Sequence, residues 1–181
     1  MKRTKQIIVG VIGVVTVGAF IARADNNEED RERHRDRNTE RRSVAAPMDP
    51  TSKAECGSCH MVYPPGLLPA RSWVKMMGGL KNHFGENATL DKETADKIEK
   101  FLTENAADRS ALRRSQKIAK SIPTSESPLR ITETLYFKRQ HHEVGSKIWV
   151  RKAIGSPANC AACHSRAEQG VFSEDEVRIP R

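Results

Sequence analysis

Aromatic side chains are scarce in this chain: five Phe, two Trp and two Tyr among 181 residues, or 5%. Charged residues reach 30%. A self-made hydrophobic core for this length needs more apolar mass, so the composition leaves room for a large, mostly apolar cofactor. Strand-like alternation of useful length is also missing, and the chain reads as mostly helical with long loops. Acidic and basic residues are interspersed rather than sorted into a basic stripe, which argues against a nucleic-acid partner. Cysteine is limited to four residues.

One long apolar run occurs, Ile7 to Ile21, behind the basic Met1-Lys2-Arg3-Thr4-Lys5 and ahead of Ala22-Arg23-Ala24. It is short against the roughly 20 residues of a spanning helix. The small-x-small triplet predicts cleavage after Ala24. Residues 1–24 are therefore read as a cleaved signal peptide that exports the chain to the periplasm, with retention as an N-terminal membrane anchor as the alternative. Loss of Lys2, Arg3, Lys5 and Arg23 with that segment leaves 27 basic against 23 acidic residues, a net charge of +4. Asp25 to Arg42 then holds no apolar residue, so residues 25–50 are expected to form a charged flexible lead, punctuated by Pro47 and Pro50.

Beyond the lead, apolar spacing predicts four helical runs. The first covers 70–83, with Trp73, Met76, Met77 and Leu80 on one side and Gly78-Gly79 weakening it. The second starts at an N-cap Asp91 and runs to about Asn105, burying Ala95, Ile98, Phe101 and Leu102. The third covers 107–120. A Ser/Pro linker from Ser121 to Pro128 follows, then a fourth run from about Ile131 to Val144. This places a first part at 51–122 and a second at 123–181.

All four cysteines fall in two short motifs, Cys56-Gly57-Ser58-Cys59-His60 and Cys160-Ala161-Ala162-Cys163-His164. Cys-x-x-Cys-His spaces two thiols to add across the two vinyl groups of one haem, and sets the adjacent His beneath the iron. A zinc site would need its two halves in compact spacing, whereas these lie roughly a hundred residues apart. A thioredoxin-like pair needs a βαβ context, and plain disulfides would not repeat the trailing His. The motifs therefore predict two covalently bound haem c groups, held by Cys56, Cys59, Cys160 and Cys163, with His60 and His164 as proximal iron ligands.

The sixth ligand of each iron separates a carrier from an enzyme. His83, Met76 and Met77 are candidates at the first haem, and His141 or His142 at the second. Adjacent helical residues point about 100° apart, so one of that pair faces an iron. Arg71, Lys75 and Arg130 are candidate partners of haem propionates.

Cys56 to Leu68 (CGSCHMVYPPGLL), Pro69 to Gly85 (PARSWVKMMGGLKNHFG), Pro128 to Phe137 (PLRITETLYF), Ser156 to His164 (SPANCAACH) and the terminal VRIPR resemble the bacterial dihaem cytochromes c that partner a small high-spin monohaem cytochrome. The resemblance covers about residues 51–181. It implies a class I cytochrome c-like N-terminal domain, followed by an irregular, loop-rich C-terminal haem domain. It implies bis-His ligation at both irons, with His83 as the first distal ligand and His141, within Arg139-Gln140-His141-His142-Glu143, as the second; His142 is a departure from the family pattern. It also implies electron exchange with a monohaem cytochrome c and a membrane b-type cytochrome, without a small-molecule substrate. The expected function is thus one-electron transfer by a periplasmic carrier, not catalysis. The alternative is a small peroxidase-like dihaem enzyme with one exchangeable iron site. Intact-mass analysis of the mature chain should find two haems covalently added; one or none would sink the motif reading.

Overall fold

The computed structural model describes Glu28, Asp30, Arg31, Arg33, His34, Ser43, Val44 and residues 49–181. The signal peptide expected at 1–24 and most of the 25–50 lead lie outside these residues. No described helix is long and apolar enough to cross a membrane. The chain divides into two units, Met1–Arg37 and Asn38–Arg181. In the first, the described residues between 28 and 34 are helical and exposed, as suits a stretch with no apolar face.

The second unit is mostly helical. Helix α1 (Pro50–Cys56) opens under an Asp49 N-cap, whose carboxylate accepts from the Ser52 amide at 2.8 Å. Helix α2 (Ala70–Met77) is shorter than the predicted 70–83 run. It ends at Gly78, where its last carbonyls are met by the Gly78 amide, and a single 3-10 turn, Leu80–Asn82, carries the chain on. Helix α3 (Lys92–Glu104) falls where its pattern predicts, with Asp91 as N-cap accepting from the Thr94 amide at 3.0 Å. Helix α4 (Arg113–Lys120) begins six residues later than the predicted 107–120 run. Residues 107–112 are diverted: the Ala107 amide donates to the Leu68 carbonyl, and the Ser110 hydroxyl accepts from the Leu112 amide.

The predicted fourth run is broken in the same way. Thr134 caps helix α5 (Leu135–Gln140) through its hydroxyl and closes a 3-10 turn, Ile131–Glu133, before it. A last short helix, α6 (Ser146–Trp149), follows Gly145. From there to the C-terminus the chain runs through 3-10 turns and bridges, including Cys160–Ala162 and Ala167–Gln169. Among the described residues no strand is longer than an isolated bridge.

Helices α2 and α3 pack on each other around Trp73, Ile98 and Leu102. The Trp73 indole N–H is satisfied inside the core by the Pro65 carbonyl at 2.8 Å. Leu68, Ala106, Ala107, Ile118 and Ile122 complete the cluster. Val44 joins it at 1% exposure, its amide donating to the Gly170 carbonyl, while Ser43 bridges Val171. The end of the 25–50 stretch is thus built into the fold, and it ties the C-terminal residues to the first core.

Gly66 is where that tie is tightest. A β-carbon there would meet the Val44 carbonyl and the buried Ser115 hydroxyl. Gly66→Ala should therefore destabilise the protein by about 1–3 kcal/mol as overpacking, read as a lowered midpoint in thermal or denaturant unfolding. An unchanged midpoint would mean that Val44 is not docked.

Candidate functional site

Cys56 is the last residue of α1, so the first Cys-x-x-Cys-His loop leaves the helix end directly and turns back at His60. The His60 ring is oriented locally, Nδ1 lying 2.6 Å from the Met61 carbonyl. With Nδ1–H as donor, Nε2 keeps its lone pair for a metal. Opposite it stands His83, carried by a tight turn in which the amides and carbonyls of His83 and Glu86 pair at 2.7 and 3.2 Å. Both central residues of that turn have positive φ, Phe84 at 55° and Gly85 at 105°. Gly85 accepts this freely, whereas Phe84 is strained. The Phe84 ring meets His83 edge-on at 4.9 Å and lies under the Arg130 guanidinium at 4.1 Å. Strain at Phe84 is thus spent next to a candidate ligand.

The His60 and His83 ring centroids are 6.1 Å apart, with planes 23° from parallel. The second centre repeats the span: His141 and His164 also lie 6.1 Å apart, but with planes at 84°. Two imidazoles on opposite faces of one metal need about 2 Å per bond and about 1.1 Å from each nitrogen to its ring centre, or about 6 Å in all. Both pairs fit a metal between them.

The second pair is held from several sides. His141 is the C-cap of α5; its Nδ1 lies 3.0 Å from the Phe137 carbonyl, and its ring stacks on Phe137 at 4.0 Å. His142 behaves otherwise. It is exposed, with Nδ1 on the Arg139 carbonyl and Nε2 3.8 Å from Glu143. His164 packs edge-on to Phe172 at 5.4 Å and leaves a buried ring nitrogen, Nδ1, without a hydrogen-bond partner among the described residues. Burial lowers the pKa of His83, His141 and His164 below the usual imidazole value; the charge of His60 adds to this at His83, and those of His141 and Arg114 add to it at His164. Neutral imidazole is the form that binds a metal.

His141, His164, Phe137, Trp149, Cys160 and Cys163 line an open cavity of about 190 Å³ whose walls are mostly apolar. None of the four cysteines forms a disulfide. Free paired thiols beside an apolar cavity and two histidines of lowered basicity suit a haem at the second centre, and the first combines free paired thiols with the same histidine spacing. Met76 and Met77 instead pack against the core cluster.

The propionate candidates part company. The Arg71 guanidinium is spent on the Glu126, Pro123 and Ile122 carbonyls, clamping the 121–128 linker. Lys75 is exposed. Arg130 lies over Phe84 and pairs loosely with Glu133 at 3.7 Å. Sequence reasoning missed three residues. Arg114, in α4, lines the second cavity together with Leu67, although both precede the linker. The Tyr63 ring lies tilted at 5.2 Å from His60, and its hydroxyl donates to the Ala158 carbonyl at 2.9 Å, two residues before Cys160. Such contacts join residues 95 and 58 positions apart, for which apolar periodicity holds no signal.

These features define a helical c-type cytochrome with two covalent haems. Residues 52–172 match the family described as dihaem cytochrome c (DHC). Among solved structures the chain is similar to a diheme cytochrome c from Rhodobacter sphaeroides, with 45% identity over 71% of this chain and 99% of that one and a TM-score of 0.63. A second structure of DHC purified from Rhodobacter sphaeroides shares 44% identity over 70% of this chain and 99% of that one, with a TM-score of 0.56. A diheme cytochrome type c from Shewanella baltica OS155 gives 38% identity, 75% and 95% coverage, and a TM-score of 0.61. Comparison with curated proteins finds no match. The chain belongs to the dihaem cytochrome c family, and its cofactors are two covalently attached haem c groups with iron.

Proposed function

We propose that the protein is a periplasmic one-electron carrier whose two irons are both bis-His ligated, His60 with His83 and His141 with His164. The single observation that carries this reading is the equal 6.1 Å spacing of two histidine pairs, each made of one Cys-x-x-Cys-His histidine and one distant histidine. Two histidines at each centre would hold its iron and leave neither centre a site where a substrate could bind. When bound, each haem supplies an iron couple that gains or loses one electron.

The chain's own residues then have limited tasks. Cys56, Cys59, Cys160 and Cys163 hold the two groups by thioether bonds. The Met61 and Phe137 carbonyls fix the rings of His60 and His141 by accepting from Nδ1. Phe137, Trp149 and Phe172 keep water from the second centre. Residues 51–122 and 123–181 each bring one Cys-x-x-Cys-His motif, the first part class I cytochrome c-like and the second loop-rich, on a chain exported by a cleaved 1–24 signal. Its partners in this reading are redox proteins, a monohaem cytochrome c and a membrane b-type cytochrome.

Low-temperature paramagnetic resonance of the oxidised protein tests the ligation. The orientation of one imidazole plane against the other sets the splitting of the iron d orbitals. Two distinct low-spin signals are expected: a rhombic one from the near-parallel first pair, and a strongly anisotropic one with a large maximal g value from the near-perpendicular second. A high-spin signal would favour an enzyme with an exchangeable site instead. Substitution separates the histidines: His83→Ala and His141→Ala should each open one ferrous iron to carbon monoxide, whereas His142→Ala should leave both closed. Carbon monoxide binding by the His142 variant alone would reverse the assignment.

A further inference from the structure

The cavity of the second centre is apolar except at a few points, and one of these is a permanent charge. Among the described residues that line it, Arg114 is the one lysine or arginine. It is half-buried on α4, and its Nη1 donates to the Phe172 carbonyl at 2.6 Å. Phe172 in turn packs on His164. Tyr136 and His164 line the same cavity as the guanidinium. A guanidinium has five N–H donors in a planar fork, and the Phe172 carbonyl uses one direction of it. Glu174 is the acidic residue of the lining. A haem carries two propionate carboxylates, and a carboxylate entering a mostly apolar cavity needs a charge-assisted donor there.

We propose that Arg114 binds a propionate of the second haem, and that its charge raises the reduction potential of the second iron relative to the first. The proposal rests on the two-haem reading above. The reduced centre holds one electron more than the oxidised one, so a fixed positive charge nearby stabilises the reduced form. Removing that charge leaves the propionate uncompensated and favours the oxidised form. Because Arg114 comes from the part of the chain that bears the first motif, the second potential would be set by a residue on the far side of the linker.

The test is a spectroelectrochemical titration of the full holoprotein and its Arg114→Gln and Arg114→Lys variants, each first checked for two covalent haems and a low-spin spectrum. Loss of a haem or of the low-spin state in the wild-type protein would overturn the two-haem bis-His reading itself, separately from this one. In Arg114→Gln one of the two one-electron steps should fall about tenfold in its equilibrium constant, which is about 59 mV, while the other stays put. A purely structural Arg114 would move neither midpoint, or both together, and either outcome overturns the proposal. Should Arg114→Gln not accumulate as folded holoprotein, Arg114→Lys decides. A compact ammonium cannot span both the Phe172 carbonyl and a carboxylate as a fork does, so a smaller fall of the same single step is expected. Unchanged midpoints in that variant refute the assignment.

Discussion

Covalent attachment of the haems is the constraint from which the rest of the structure follows. A haem bound only by packing must be enclosed on both faces and along its edges. A haem tied by two thioethers needs from the fold little more than two axial ligands and some apolar cover. That is why a chain with nine aromatic residues and 30% charged residues can hold two of them. It is also why the described helices are short: the longest, Lys92–Glu104, has 13 residues, and the second centre is built largely from turns. The tether removes the need for long helices to wall in the cofactor.

The two histidine pairs reach the same spacing by different local means. At the first, a strained turn swings His83 across from His60, with Phe84 held at φ 55°. At the second, the C-terminal end of α5 presents His141, and Phe137 serves it twice, by its carbonyl and by its ring. The spacing is common to both, and the relative ring orientation is not. Identical motifs therefore sit in unequal surroundings.

Much of this was legible in the sequence where the signal is local. The Asp91 cap and the Ile98–Leu102 face fixed α3 to within a residue of expectation, and the two cysteine motifs announced their cofactor. Helix ends were less legible where side chains compete for backbone groups. Ser110 and Thr134 each divert a stretch whose apolar spacing alone suggests a continuous helix. Least legible were the contacts between distant segments. Nothing in the spacing of α4 reveals that Arg114 reaches a cavity around Cys160, or that the Tyr63 hydroxyl meets Ala158. His141 and His142 likewise look alike in the sequence, since both lie beside the same helix end, yet only His141 packs against Phe137 and Trp149.

The carbonyl of Ala158, which receives the Tyr63 hydroxyl, bears on how such a protein could be taken apart. Arg114 and Leu67 reach forward into the second cavity, and Arg130 reaches back over Phe84 beside the first pair. Each segment therefore completes the environment of the other's cofactor. A chain severed at the Ser/Pro linker would not yield two interchangeable cassettes, one per haem. Each fragment would expose apolar surface and lose a neighbour of its own histidine pair. The linker joins two sequences, but it is not a seam in the folded molecule.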